Sequence, residues 1–352
     1  MFDIAIIGLG PAGATISRLL SQNFKVIALD KNSRQNTGFS KPCGGLLAPD
    51  AQKVLSQFNL TLPKSILADP QIFSVRTIDI KTGLLNHYQR FYINLQRFKF
   101  DRWLRSLIPS NVKTLYNYRC VKIEHNKDLF YITAVSDNKE TVIEARYIVG
   151  ADGANSIVRH ALFPEFKIKK YLSIQQWFKD YHPTPFYSCI FDSDLTNSYC
   201  WGLSKDNYFI LGGAFNPKNA KLSFEKLKQK IAAFGFNLEN PIKTESCPII
   251  KSGRFYNFCH GKKNVFLIGE AAGFISPSSF EGISYALKSA FALSEVLNRN
   301  TNNPFKEYKK ATRAIRLKIF IKNFKSSVIF CPFLRKLIMK SGIKSIKSHG
   351  KY

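Results

Sequence analysis

The chain opens with an apolar run that breaks into a glycine-spaced turn: Ile4-Ala-Ile-Ile-Gly8-Leu-Gly10-Pro11-Ala12-Gly13. Few short patterns restrict a fold as much. The apolar run predicts a buried parallel strand, and residues 11–21 continue with a helical pattern. Gly8 permits the tight turn, Gly10 lets the backbone approach a pyrophosphate, and Gly13 lets helix and strand pack closely. The helix start then presents unpartnered N–H groups and the positive end of its dipole. Pro11 suits the first helical turn, where an N–H has no partner to lose. A second strand, Lys25-Val-Ile-Ala-Leu-Asp30, ends in an acid at about the 20-residue spacing that suits a ribose hydroxyl pair. The two strands predict a dinucleotide-binding, Rossmann-like unit. Ala14 stands where a Walker-type loop needs its lysine, which excludes that alternative. The motif leaves NAD and FAD both open.

At 352 residues the chain has room for two domains, and a hydrophobic content of 45% marks it as globular. No apolar run approaches the ~18 residues that suggest a membrane-spanning helix. Asp3 stands where a signal peptide would carry basic residues. The seven cysteines are odd in number, scattered and without a CxxC pair, so neither a disulfide framework nor a metal site is indicated. The expected home is the cytoplasm. The net charge of +28 is concentrated toward the C-terminus, where residues 306–352 hold 14 Lys and Arg against one acid, Glu307. That imbalance suggests a polyanionic surface, lipid or nucleic acid. No recognisable nucleic-acid module accompanies it, so no specific nucleic acid is expected.

Further along, Lys41-Pro-Cys43-Gly44-Gly45 sets a thiol beside two residues that allow close backbone approach. Cys43 reads either as a shielded thiol near a reactive centre or as a small buried residue in a glycine turn. Residues 72–93 alternate as two strands, and Arg97 opens a helix, as a phosphate or cofactor contact or as a solvated arginine. Residues 117–149 predict a three-stranded meander ending at Gly150-Ala-Asp152-Gly153-Ala-Asn-Ser156. From 171 to 213 the pattern is all strand. Trp177, Tyr199, Trp201 and Tyr208 there either line a ligand face or fill the core. A buried strand ends at Gly269-Glu270-Ala-Ala-Gly273, and a helix follows after Gly282 and Ile283. Residues 305–326 read as a basic helix and 334–346 as again basic and apolar, the segment set against a membrane or docked on the body.

Three of these blocks together resemble the FAD fingerprints of group A flavoprotein monooxygenases and geranylgeranyl reductases: Gly8-x-Gly10-x-x-Gly13, Gly-Ala-Asp152-Gly153-x-x-Ser156-x-x-Arg159, and Gly269-Glu270-Ala-Ala-Gly273. The Lys41–Gly45 segment is similar to the cysteine motif of the reductase branch. The resemblance implies an α/β fold of the p-hydroxybenzoate-hydroxylase type. An FAD-binding domain would comprise 1–70, 95–165 and 255–300, and an antiparallel β substrate domain 71–94 and 166–254. A basic helical segment, 301–352, would follow. It implies FAD as cofactor, with Asp30 at the adenosine ribose, Arg97 along the FAD backbone, Asp152 near the pyrophosphate and Glu270 at the ribityl chain. Pro11, Ala12, Lys31, Lys41, Gly44, Gly45, Gly153, Gly282 and Ile283 complete the expected cofactor contacts. Glu270 is one methylene longer than the family's usual aspartate. The reductases' Tyr-x-Trp-x-Phe-Pro motif reads Tyr199-Cys-Trp201-Gly-Leu203-Ser204, keeping the aromatic pair and losing the Phe-Pro.

Three activities fit this reading. One is reduction of isoprenoid double bonds at an anionic membrane surface, with Cys43 as proton donor or positioning group and an electron donor the sequence does not specify. Another is hydroxylation of an apolar or aromatic substrate. The third is a basic binding protein that keeps FAD structurally. The Cys43 motif favours the first.

Overall fold

The computed structural model describes residues 1–33, 41–180, 183–236, 238–251 and 258–346. It divides into two compact units, residues 1–39, 100–169 and 250–322, and residues 40–99, 170–249 and 323–352.

At the centre of the first unit is the strand Phe2–Ile7, parallel to Val26–Asp30 on one side and to Lys139–Gly150 on the other. Lys113–Tyr116 and Val265–Leu267 extend the parallel sheet at its two sides. Helices cover parallel sheets, so their strands are apolar throughout; Ile4 to Ile7 are accordingly buried. The helix Pro11–Leu19 follows the first strand and packs against Ile283–Asn298. Arg119–Asn126, Leu129–Ser136 and Lys139–Gly150 form the expected antiparallel meander.

The second unit is built on one sheet, in the order Lys243–Ile250, Lys170–Lys179, Tyr208–Phe215, Cys200–Lys205, Phe186–Phe191, Ile72–Asp79, Leu84–Asn94 and Ser345–Ile346. It is antiparallel across most of its width, but Phe186–Phe191 runs parallel to Ile72–Asp79. Successive side chains alternate between its faces. One face carries Ile174, Phe178, Ile190, Leu211 and Phe215, which pack with Phe224, Leu227 and Ile231 of the helix Ala220–Ile231. By register the opposite face carries Trp177, Tyr187, Cys189, Trp201, Leu203, Lys205 and Tyr208.

Beyond shifts of a few residues at other boundaries, these units differ from the expected domain ranges at two places. Residues 40–70 group with the second unit because Leu46–Leu47 pairs with Ile93 and Asn94 of a strand in its sheet. The basic segment splits. Tyr308 is fully buried in the first unit and donates to the carbonyl of Leu267 at 2.8 Å. Residues from 323 onward belong to the second unit, where Arg335 meets Asp79 and Ser345–Ile346 adds a strand. The helix expected over 305–326 is two, Pro304–Ala311 and Arg313–Phe330. At the junction, Thr312 Oγ1 donates to the carbonyls of Tyr308 and Lys309, a back-bonding that bends helices.

Candidate FAD site and thiol loop

In the first unit the glycines divide by what constrains them. A Cβ on Gly13 would lie 1.8 Å from the Gly8 carbonyl oxygen, so helix and strand touch only because it is glycine. Gly8 has φ of +95°, in the left-handed region. Gly10 is different. Its φ of −69° and ψ of −172° suit any residue, and a Cβ there would meet no protein atom within 4 Å. Nothing in the fold requires that glycine, so the space beside it fits a ligand that must approach the backbone. The helix beginning at Pro11 has no acid in its first turn to offset its positive end.

The Asp30 carboxylate ties this turn to the second strand: Oδ2 accepts the Leu9 N–H at 2.6 Å and Oδ1 the Asn32 N–H at 2.8 Å. Each oxygen keeps capacity for a further donor. Arg105, buried in the helix Arg97–Ser106, donates from Nε to the Leu9 carbonyl at 3.0 Å and from Nη1 to the Ser33 carbonyl at 3.3 Å. Asp152 accepts the Ile157 and Val158 N–H groups on Oδ2, and among the described residues its buried Oδ1 has no hydrogen-bond partner. Burial raises the pKa of this carboxyl, against the hydrogen bonds it accepts. Arg159, fully buried, bridges two blocks by donating to the carbonyls of Ala271 and Ala154. Gly269 donates its N–H to Ser289 Oγ at 2.9 Å, and Glu270 Oε1 accepts the Ile250 N–H at 3.1 Å. Gly282 is the N-cap residue of Ile283–Asn298, with no side-chain cap.

In the second unit the thiol loop lies against the aromatic face. A Cβ on Gly44 would sit 3.4 Å from Leu203, 3.9 Å from Trp201 and 4.0 Å from Tyr187. Gly45 has φ of +67°, and its N–H donates to Cys43 Sγ at 3.4 Å. Under this loop is Lys205, 1% exposed, with Nζ donating to Asn94 Oδ1 and to the Leu95 carbonyl at 2.6 Å each. Leu95 N–H in turn donates to the Gly45 carbonyl at 2.9 Å. Burial pulls the Lys205 pKa down to about 7, with the Cys43 thiol and the Asp206 carboxylate acting the other way.

The FAD binding domain family matches residues 116–307, more than half of the chain. Protein CbrA of Escherichia coli strain K12 is 51% identical over 346 residues, 98% of this chain and 98% of that one. The chain belongs to the CbrA family. Protein CbrA of Shigella sonnei strain Ss046 matches over the same shares of both chains at the same identity. Among solved structures, a geranylgeranyl bacteriochlorophyll reductase-like protein from Thermoplasma acidophilum superposes with a TM-score of 0.79 at 15% identity, covering 96% of this chain and 90% of that one. A probable FAD-dependent monooxygenase from Pseudomonas aeruginosa gives 0.71 at 15% identity, covering 97% and 99%. At that identity the two establish the fold, the flavoprotein α/β fold expected above. FAD is the cofactor of this CbrA-family chain, and the open side of Gly10 leaves room for a ligand against the backbone.

Of the residues expected at the cofactor, the first unit brings Gly8, Gly10, Pro11, Ala12, Gly13 and Asp30 into one turn. Gly269 adjoins it, since a Cβ added there would lie 3.1 Å from the Ala12 methyl. Lys31 is exposed just past the turn. Lys41, Gly44, Gly45 and Arg97 belong to the second unit. Of the four aromatics, Tyr199 and Trp201 are buried side by side, ring centroids 6.0 Å apart. Trp177 and Tyr208 pair with each other at 5.9 Å, and the Trp177 N–H is taken by Glu245 at 2.8 Å. Arg105 and Lys205 were not visible from the sequence. Each is a basic residue in a basic chain, and the carbonyls that hold them come from distant segments.

Proposed function

We propose that this FAD-dependent oxidoreductase reduces carbon–carbon double bonds of an isoprenoid-type lipid at a membrane surface. The observation that carries the reading is the thiol loop seated on the aromatic face of the second unit's sheet, beside Trp201, Leu203 and Tyr187. Apolar faces with a few placed polar groups suit extended hydrophobic ligands.

In the first unit the Gly10 backbone and the start of Pro11–Leu19 would hold the pyrophosphate, with Asp30 at the ribose and Asp152 and Gly153 along the chain. Glu270 would take the ribityl hydroxyls, and the start of Ile283–Asn298 would favour negative charge on the ring. Reduced FAD, when bound, supplies hydride. An unactivated alkene accepts hydride poorly, so the second carbon must gain a proton as the first gains hydride. Cys43 is our candidate to donate it: the S–H bond breaks as the C–H bond forms, and solvent returns the proton to sulfur. Lys205 holds the loop that carries this thiol, through Leu95 and Gly45. Tyr199 and Trp201 exclude water from it. A separate two-electron donor restores the cofactor.

The test is incubation of dithionite-reduced protein with polyprenyl phosphates in the absence of oxygen. Gain of two hydrogens per double bond, weakened in Cys43→Ala, is the expected result. A product that forms only with oxygen and gains one oxygen atom would instead assign a hydroxylase, a reaction of the monooxygenase class named for the Pseudomonas aeruginosa relative in fold. It would leave Cys43 without this role.

A further inference from the structure

The two last helices carry apolar surface that the fold leaves outside. In Arg313–Phe330, Ile315, Ile319 and Ser326 are buried, while Leu317, Phe320, Ile321 and Phe324 are exposed at the i, i+3, i+4, i+7 spacing of a single helix face. Pro332–Ser341 divides the same way. Arg335 and Met339 are buried, and Phe333, Leu334, Leu337 and Ile338 are exposed. These eight apolar side chains range from 38% to 76% exposed.

What sets the orientation of the second helix is polar. Arg335 Nε donates to Asp79 Oδ2 at 2.7 Å and Nη1 to the Ile329 carbonyl at 2.9 Å, and its guanidinium lies 4.8 Å from the Phe191 ring centroid. Asn86 donates to the Met339 carbonyl at 3.0 Å, and Ser345 and Ile346 pair with Tyr88 and His87. Turning the helix to hide Leu337 and Ile338 would tear out a buried ion pair. A helix docked only for its own stability buries its apolar side; this one buries an arginine and leaves leucine and isoleucine in water. Docking on the body therefore uses Ile315, Ile319, Arg335 and Met339 and leaves the other apolar side chains of both helices outside.

Charge selects the occupant. Arg313, Lys325, Lys336, Lys340 and Lys344 are exposed around the two stripes, and from 308 to the C-terminus the sequence has no acid. A second copy of this chain would bring another net +28 against the first. An anionic bilayer offers phosphates for the lysines and acyl chains for the leucines and phenylalanines in the same plane.

We infer that Phe324, Phe333, Leu334, Leu337 and Ile338, the exposed apolar side chains of the second unit's last helices, insert into the interface of an anionic membrane, with the surrounding lysines at the phosphate level. This rests on the membrane half of the function proposed above and names its surface.

The test is sedimentation of the full-length protein, without reductant, with vesicles of phosphatidylcholine alone or containing phosphatidylglycerol. Binding is expected only to the anionic vesicles and should weaken at high salt. Leu337→Ser with Ile338→Ser, and separately Phe324→Ser with Phe333→Ser, should each lower partitioning about tenfold, as interfacial binding scales with buried apolar area. Lys336→Glu with Lys340→Glu should lower it at low salt and matter less at high salt. All are exposed changes, so flavin content and melting should stay at wild-type values. Wild-type protein that ignores anionic vesicles, or variants that bind as tightly as wild type, would overturn the inference. So would a dimer that the serine variants dissociate. Lipid reduction in detergent is assayed separately: docking without reduction sinks the chemistry, and reduction without docking sinks this surface.

Discussion

Removing Arg335 should undo the docking of the last helix. The Arg335–Asp79 pair is almost fully buried, with side chains 5% and 0% exposed and a 2.7 Å Nε–Oδ2 contact. Arg335→Met keeps much of the stem and deletes the charge. Asp79 is then left in the interior without its partner, with the Thr82 N–H 3.3 Å from Oδ1. Breaking one side of a buried pair costs about 3–5 kcal/mol, most of it the stranded charge. The substitution also ends the hydrogen bond to Ile329 and the stacking on Phe191. Asp79→Asn with Arg335→Met removes the stranded charge, so the double variant should recover roughly 2 kcal/mol or more of what the single changes predict together. A double-mutant cycle by urea unfolding measures this, and hydrogen exchange across residues 332–341 shows whether the helix opens by itself. A cost for Arg335→Met of under about 1 kcal/mol, the range of exposed pairs, with exchange in 332–341 unchanged, would refute the reasoning.

Two further outcomes follow from the interior. Gly13→Val should abolish FAD binding, since even a Cβ would fall 1.8 Å from the Gly8 oxygen; flavin absorbance of the purified variant checks it, and a yellow variant contradicts it. Lys205 has its folded pKa lowered to about 7 from 10.5. Between these values the unfolded chain holds more protons than the folded one, so its contribution to stability rises with pH there, by up to ~1.4 kcal/mol per pH unit, and is lost as pH falls through 7. Lys205→Met should remove that slope from urea melts taken between pH 7 and pH 10, while leaving the Asn94 and Leu95 oxygens without their donor; an unchanged slope would place the titration elsewhere.

The strand, turn and helix at residues 2–19 were legible because their determinants are local: an apolar run, spaced glycines, a proline at the first turn. The meander ending at Gly150 was legible for the same reason. What stayed hidden depends on distant partners. Leu46–Leu47 pairs with Ile93 and Asn94, which moves residues 40–70 out of the first unit. The basic segment read as set against a membrane or docked on the body, and the partner that fixes its last helix, Asp79, lies 256 residues before Arg335. Lys205 read as the start of the turn Lys205-Asp206-Asn207, and nothing local marked it as buried, because its acceptors lie 110 and 111 residues away.

The glycines of the Tyr208–Phe215 strand constrain how this family can change. A Cβ on Gly212 would fall 2.4 Å from the Trp201 indole, and one on Gly213 would fall 2.5 Å from the Phe215 ring. The indole therefore fills space that an ordinary strand residue would occupy, and neither partner can be exchanged alone. A larger residue at 212 has first to wait for a smaller one at 201, and a smaller one at 201 opens a void above 212. The two positions therefore have to change together, and with them the width of the apolar face.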